Sequence, residues 1–342
     1  MTPQPKVVKV SGFLKNYAWG RLNGLSEFMQ EPSPQPQAEL WFGNHKSGPS
    51  LDLATGLSVA IEPAAPLLVK LLAISQPLSI QVHPDENFAI ANYEKLKLSD
   101  KNGKDEIIVA LETVWAFAGI KSMTERKRIL GQLDLSTEIT DFKEQSKEIL
   151  LLSAQQVTKK IDLLIQSIED EVERKAFKFL VEYYPNDRGV LIAGLLQFHI
   201  LNPGEALHVP PGCPHEYLSG IALEVMTNSD NVFRMGLTIK PLDIEHSLQV
   251  ITENKIEKFA KGERYKPKAI FEILDLTAVK SIIPASSYRV LLCLEGEVKI
   301  QSGPEGYGLK KGEALLITDS TEVEVEVNGR AVVAMTTNDG RL

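Results

Sequence analysis

Cysteine is almost missing from this chain of 342 residues, which has only Cys213 and Cys293. Two cysteines without CxxC spacing supply neither a disulfide framework nor a thiolate zinc site. Long hydrophobic runs are missing too. No window approaches a membrane span, and Met1 to Val10 lacks the apolar stretch of a secretory leader. A basic excess is also lacking, since 37 Lys and Arg face 45 Asp and Glu for a net charge of −8. That balance argues against general nucleic-acid binding but leaves room for an anionic small molecule held by a local cluster of Lys and Arg. These absences predict a cytoplasmic protein without nucleic-acid or membrane partners. Hydrophobic residues at 43% provide for a sizeable core, and the length predicts two or three domains.

The most informative stretch is Gly204 to His215, GEALHVPPGCPH. A short apolar strand (Ala206, Leu207, Val209) runs into a Pro-Pro-Gly turn, and His215 follows at the start of the next strand. Proline presets φ for such a turn and glycine accepts backbone angles that other residues avoid. The histidine is therefore delivered on a stiff support. The Gly, Pro, Gly and His spacing resembles the second motif of the cupin superfamily, whose small β-barrels hold a metal inside.

Elsewhere the period of the sequence alternates between two regimes. Pro77 to His83 has period two, with Leu78, Ile80 and Val82 on one side and Ser79, Gln81 and His83 on the other, which marks a strand. Between Ser122 and Tyr184 the period becomes helical. Ser122-Met-Thr-Glu125 has the form of a capping box, and Ile161, Leu164, Ile165, Ile168 and Val172 recur at helical spacing until Pro185. Strand character resumes after Gly189 and again from about Ile270. Leu309 to Ile317 echoes Leu201 to Val209, with Gly312-Glu-Ala-Leu in register with Gly204-Glu-Ala-Leu but no histidine after it. Two copies of one barrel unit, the second without metal ligands, account for this echo.

The expected fold is mainly β with a helical insert: two cupin-like jelly-roll barrels plus a small α-helical domain. The expected divisions are 1–120 with 189–262 for the catalytic barrel, 121–188 for the helical insert, and 263–342 for a carboxy-terminal barrel without metal ligands.

Four positions are suited to one divalent cation. Gln81 and His83 point to one strand face, Glu106 opens the apolar run Glu106 to Leu111, and His215 comes from the far segment. Two imidazoles, a carboxylate and an amide oxygen suit zinc with an open position, while manganese or iron also accept such ligands. By spacing alone, Gln81 reads as an ordinary polar strand residue.

Several motifs, in chain order, resemble the type I mannose-6-phosphate isomerase family. They are Tyr17-Ala-Trp-Gly20, Ala38 to Gly43 (AELWFG), His45 to Ser50, Lys70-Leu-Leu, and Pro77 to Asp85 (PLSIQVHPD). Lys104-Asp-Glu106, Pro214 to Gly220, and Leu223 to Lys240 (LEVMTNSDNVFRMGLTIK) continue the series, the last being the most specific. The resemblance spans about residues 10 to 250. It implies one zinc per chain held by Gln81, His83, Glu106 and His215, an essential Arg234, and a sugar-phosphate substrate interconverted between mannose 6-phosphate and fructose 6-phosphate.

Ser79, Lys70 and Lys240 are candidates around the phosphate, and Glu224 is the candidate base, with Lys70, Lys104 and His45 as alternatives. His199, His208 and His246 read as structural or solvent-facing. The chain departs from the family at Ile239, where proline is usual, at the short insert, at the Pro-Pro-Gly-Cys-Pro turn, and at His208. Another metal-dependent cupin isomerase, an oxygen-using iron cupin and a non-catalytic sugar-binding cupin are the competing readings, with monomer or homodimer as the expected state.

Overall fold

The computed structural model describes residues 7–29, 33–59, 64–302, 305–318 and 320–337. Among these it contains twenty β-strands, in an eleven-stranded and a nine-stranded sheet, and seven α-helices. No helix among the described residues is long and apolar enough to cross a membrane.

The eleven-stranded sheet carries the residues singled out above. Its main path runs Glu257–Phe259, Ala206–Val209, Glu106–Ala110, His215–Thr227, Leu67–Ile74, Glu39–Phe42 and Phe13–Lys15. The long strand His215–Thr227 also pairs, near its start, with Ile80–Val82 and Val114–Ile120. These lead on to Phe233–Gly236 and Leu196–Leu201.

Strand alternation explains why one sheet can hold both a core and a polar site. Leu67, Val69, Leu71, Ile107, Val109, Leu223 and Val225 point to one face, where they meet Phe271, Ile273 and Val290 of the other sheet and the adjoining Tyr288. The opposite face gathers Leu72, Ile74, Ile108, Ala110 and Ala222 into a second core. Lys70, Glu106 and Glu224 share the parity of that second face but lie toward one end of it, where the apolar packing stops. All eight residues of Leu67–Ile74 are buried, which is why this strand reads as an unbroken apolar run with one lysine.

The nine-stranded sheet runs Arg264–Tyr265, Phe271–Thr277, Val323–Thr336, Arg289–Ser302, Glu313–Ile317, Val7–Ser11 and Leu51–Asp52, with Lys280–Ile283 and Glu305–Lys310 attached at the side. Val7–Ser11 and Leu51–Asp52 thus hydrogen-bond into the sheet built mostly from the carboxy-terminal third. The internal echo has a structural counterpart. Gly204 and Gly312 have φ of 90° and 81°, in the region that favours glycine. One residue on, Glu205 Oε2 accepts from Asn202 N at 2.7 Å, and Glu313 Oε2 accepts from Lys310 N at 2.8 Å.

The helical segment begins as its capping box predicts. Ser122 accepts from Glu125 N and Glu125 reaches back to Ser122 N, opening the helix Met123–Gln132. The apolar stripe from Ile161 to Val172 is not one helix. Ala154–Ser167 stops at Ile168, and Asp170 caps a new helix, Glu171–Tyr183. A further helix, Arg188–Ala193, follows where strands were expected to resume, because the Asp187 carboxylate caps it by accepting from Gly189 N. The helix Glu86–Leu96 has no counterpart in the sequence reading. It buries only Ala89, so it lacks the apolar stripe by which a helix is recognised.

Candidate active site

Three adjacent strands line up the central residues. His215 lies directly opposite Gln81, and Gln81 directly opposite Arg234. Residues opposite one another on antiparallel strands share a face, so imidazole, amide and guanidinium stand in one row. His83 lies two residues beyond Gln81, and Glu106 comes from the strand paired to the far end of His215–Thr227.

His83, Glu106 and His215 converge. All three are buried, and their ligand atoms lie within 4.8 Å of one another. Glu106 Oε2 is 3.5 Å from His83 Nε2, and Glu106 Oε1 is 3.2 Å from His215 Nε2. Both imidazoles are held from behind. His83 Nδ1 donates to Asn231 O at 2.9 Å, and His215 Nδ1 donates to Cys213 O at 3.0 Å. A carbonyl only accepts, so each Nδ1 carries a hydrogen, which leaves each Nε2 as the ring nitrogen turned toward Glu106 and available to a metal.

The electrostatics agree. Burial first, then the Lys104 ammonium, lowers His83 to about 3, so it is neutral near pH 7. Burial opposes ionisation of Glu106, but Lys104 and His215 outweigh it and hold the carboxyl well below its ordinary range. His83 Nε2 is buried with no hydrogen-bond partner. A neutral imidazole with an orphaned lone pair, a second imidazole and an ionised carboxylate form a donor set that fits a divalent cation.

The row opens into a cavity of about 710 Å³, a volume suited to a small molecule. Lys70, Ser79, Gln81, Lys104, Glu224, Arg234 and Lys240 all line it. Lys70 Nζ meets Glu224 Oε2 at 2.6 Å and sits 5.2 Å above the Trp41 ring. Burial alone would lower the Lys70 ammonium, but Glu224 and Glu39 outweigh it, so Lys70 stays charged. Lys240 Nζ stands 5.5 Å over the Tyr17 ring at the mouth, and Ile239 beside it is fully exposed.

Lys104 reaches Glu106 Oε2 at 2.9 Å. His45 lies outside the metal cluster, with Nε2 3.3 Å from Asp230 Oδ1. His208 is buried against Asp105 at 2.7 Å, His199 Nε2 meets Ala118 O at 3.0 Å, and His246 meets Asp243 at 2.8 Å.

Some residues of the site were not singled out from sequence. Tyr217 OH donates to Glu106 Oε1 at 2.8 Å, and its place two residues past His215 on the same strand was the available signal. Glu39, Trp41 and Asp230 line the cavity. Glu39 and Trp41 alternate on one strand whose Trp41 pairs with Lys70, a relation only the pairing register reveals. Glu216 is 1% exposed, and neither carboxylate oxygen has a hydrogen-bond partner. Burial, then the nearby Asp187, raises it well above the carboxylate range, so it is a neutral acid.

The fold and the site together define a mainly β protein with a buried candidate metal centre opening into a small-molecule-sized cavity lined by both basic and acidic side chains. Residues 60–123 match the catalytic domain of type I phosphomannose isomerase, and residues 270–338 match the cupin domain of mannose-6-phosphate isomerase. The chain is 30% identical to mannose-6-phosphate isomerase of Escherichia coli K12, covering 94% of this chain and 97% of that one. A solved mutant of phosphomannose isomerase from Salmonella typhimurium superposes with a TM-score of 0.84 at 27% identity, covering 96% of this chain and 99% of the other. A zinc-bound mannose 6-phosphate isomerase gives 0.83 at 26% identity, over 97% and 100% of the two chains. The chain belongs to the type I mannose-6-phosphate isomerase family of enzymes.

Proposed function

We propose that the protein is a zinc-dependent aldose–ketose isomerase that interconverts D-mannose 6-phosphate and D-fructose 6-phosphate through an enediolate. The observation that carries this reading is the row His215, Gln81, Arg234 beside His83 and Glu106. It puts a cation-binding set and a fixed positive fork on one wall of one cavity.

His83, Glu106, His215 and Gln81 would hold one zinc per chain. Bound there, the cation supplies electrophilic polarisation of the sugar's carbonyl oxygen. Glu224, facing Lys70 across 2.6 Å, is the base: it takes the proton from C2 of the aldose and returns it to C1. The O2 hydroxyl loses its proton and O1 gains one, so the atoms balance. Arg234 is always charged and presents a planar set of donors, so it steadies the negative charge that develops between O1 and O2. Ser79, Lys240 and Lys70 receive the substrate's anionic end, whose binding orients the reacting carbons.

We also propose that the two sheets form two cupin-like jelly-roll barrels. Residues 1–120 and 189–262 make up the catalytic unit, 121–188 the insert and 263–342 the second barrel, with Val7–Ser11 lent to the latter's sheet.

Purified protein, stripped of metal and reloaded with zinc, should form fructose 6-phosphate from mannose 6-phosphate. Absence of zinc-dependent turnover would overturn the assignment. Release of zinc by His215→Ala, with the fold intact by circular dichroism, is the companion result for the ligand set.

A further inference from the structure

The two imidazoles of the proposed centre are braced differently. The carbonyl that orients His215 belongs to Cys213, inside the Pro210–Pro214 turn, which is stiffened by its prolines and by Gly212 N donating to His83 O at 2.8 Å. The carbonyl that orients His83 belongs to Asn231, in the non-strand link between His215–Thr227 and Phe233–Gly236. Such a link needs an external brace if it is to hold an imidazole in place.

Asp100 is that brace. Its Oδ1 accepts from Ser229 Oγ at 2.8 Å and from Asn231 Nδ2 at 3.0 Å, and its Oδ2 accepts from Asp230 N at 2.9 Å. One carboxylate therefore ties three consecutive residues of the link. A fourth bond, from Asn102 N to Oδ1 at 3.0 Å, fixes the carboxylate within its own loop. Both oxygens are used as acceptors, and an ionised carboxylate is acceptor-only.

The same two segments are stitched again by Asn231 Nδ2 to Asn102 O at 3.0 Å and by Asn102 Nδ2 to Asn228 O at 3.0 Å. The loop carrying Asp100 runs directly into Lys104 and Glu106, and Asp230 on the link lines the cavity.

We infer that Asp100 is a positioning residue that sets the angle of the His83 imidazole through the Asn231 carbonyl and joins it to the Asp230 wall of the substrate cavity. The inference rests on His83 being a metal ligand. Asp100→Asn keeps the shape of the side chain but puts an amide NH2 where an acceptor oxygen stood, so the link loses at least one bond. An outer-shell change of this kind weakens metal binding by about 10- to 100-fold.

The test is chelator competition for zinc on wild type, Asp100→Asn and Asp170→Ala, together with the visible spectrum of each protein loaded with cobalt. Asp170 caps a helix in the insert by accepting from Glu173 N at 2.7 Å, so its variant loses stability without touching the clamp.

The expected result is a zinc dissociation constant raised about 10- to 100-fold and an altered cobalt spectrum in Asp100→Asn, with neither change in Asp170→Ala. Wild-type zinc affinity and an unchanged spectrum in Asp100→Asn would overturn the inference. Should that variant not fold, Ser229→Ala, which removes the hydroxyl that donates to Asp100 Oδ1 and accepts from Asn231 N, decides: a several-fold weaker zinc affinity supports the clamp and an unchanged one overturns it. Unaltered zinc affinity in His83→Ala overturns the metal reading itself, and the clamp with it, whereas wild-type behaviour of Asp100→Asn alone overturns only the clamp.

Discussion

Glu216 follows a proposed metal ligand directly and is among the residues lining the cavity, yet it is buried with no partner for either oxygen. Because its folded pKa is raised, the folded chain keeps a proton that the unfolded chain releases above about pH 4.3. Stability from this group is therefore intact below that pH and is lost as pH rises toward the folded pKa. Glu216→Gln should raise Tm at pH 8, with the gain shrinking to nothing near pH 4; a pH-independent gain in melting scans would contradict the neutral-acid assignment. Arg234 behaves otherwise, because its guanidinium is a fixed charge on the cavity wall. Arg234→Ala should lower kcat by about 100-fold or more, the scale of losing a charge stabiliser, while zinc content by elemental analysis stays near one per chain. Loss of zinc would make the arginine structural. At this scale His83, Glu106 and His215 were legible because short spacings fixed them to strands and turns. Glu216 was not, since sequence shows neither the depth of a position nor the partners it lacks.

The turn before His215 shows how much an element can specify from few residues. Gly212 has φ of 81°, and a Cβ added there would lie 2.5 Å from Thr252 Oγ1 and 2.8 Å from Val250 O. Gly212→Ala should therefore lower Tm and also weaken zinc binding, because its N–H is bonded to the His83 carbonyl. A variant that melts early but titrates zinc like wild type would separate the turn from the metal. The helix opened by Ser122 was legible because a capping box is a local device, complete within four residues. The break at Ile168 to Asp170 was not, because apolar spacing continued across it and only the cap on Asp170 ended one helix and began the next. The short helix Arg188–Ala193 was hidden for a related reason: all of its residues but Arg188 are buried, so no polar face marked the period.

For the whole molecule, the two large sheets pack through a shared core in which Leu71 and Val225 on one side meet Phe271 and Val290 on the other. A proposed centre whose ligands come from separate segments, Glu106 and His215 on strands and His83 just past the end of Ile80–Val82, couples metal to fold. Removing zinc with a chelator should lower Tm, and re-adding it at 100 times its dissociation constant should restore about 2.7 kcal/mol, readable by calorimetry. An identical Tm with and without metal would show that the folded chain does not bind zinc in preference to the unfolded one. The echo between Gly204 and Gly312 was legible as a repeat, and the shared bonds of Glu205 and Glu313 give it a physical basis. What the echo did not reveal was that Val7–Ser11 completes the second sheet, since pairing between distant segments leaves no local trace.

That pairing matters during synthesis. Val7–Ser11 finds its main partner only in Glu313–Ile317. A ribosome adding about 5–20 residues per second needs roughly 15–60 s to deliver it. Until then the nascent strand has only the two-residue pairing with Leu51–Asp52, and its valines lie along an open edge. Val7–Ser11 is therefore made long before Glu313–Ile317, the strand that secures it, so its edge lacks that partner while the intervening segments are translated.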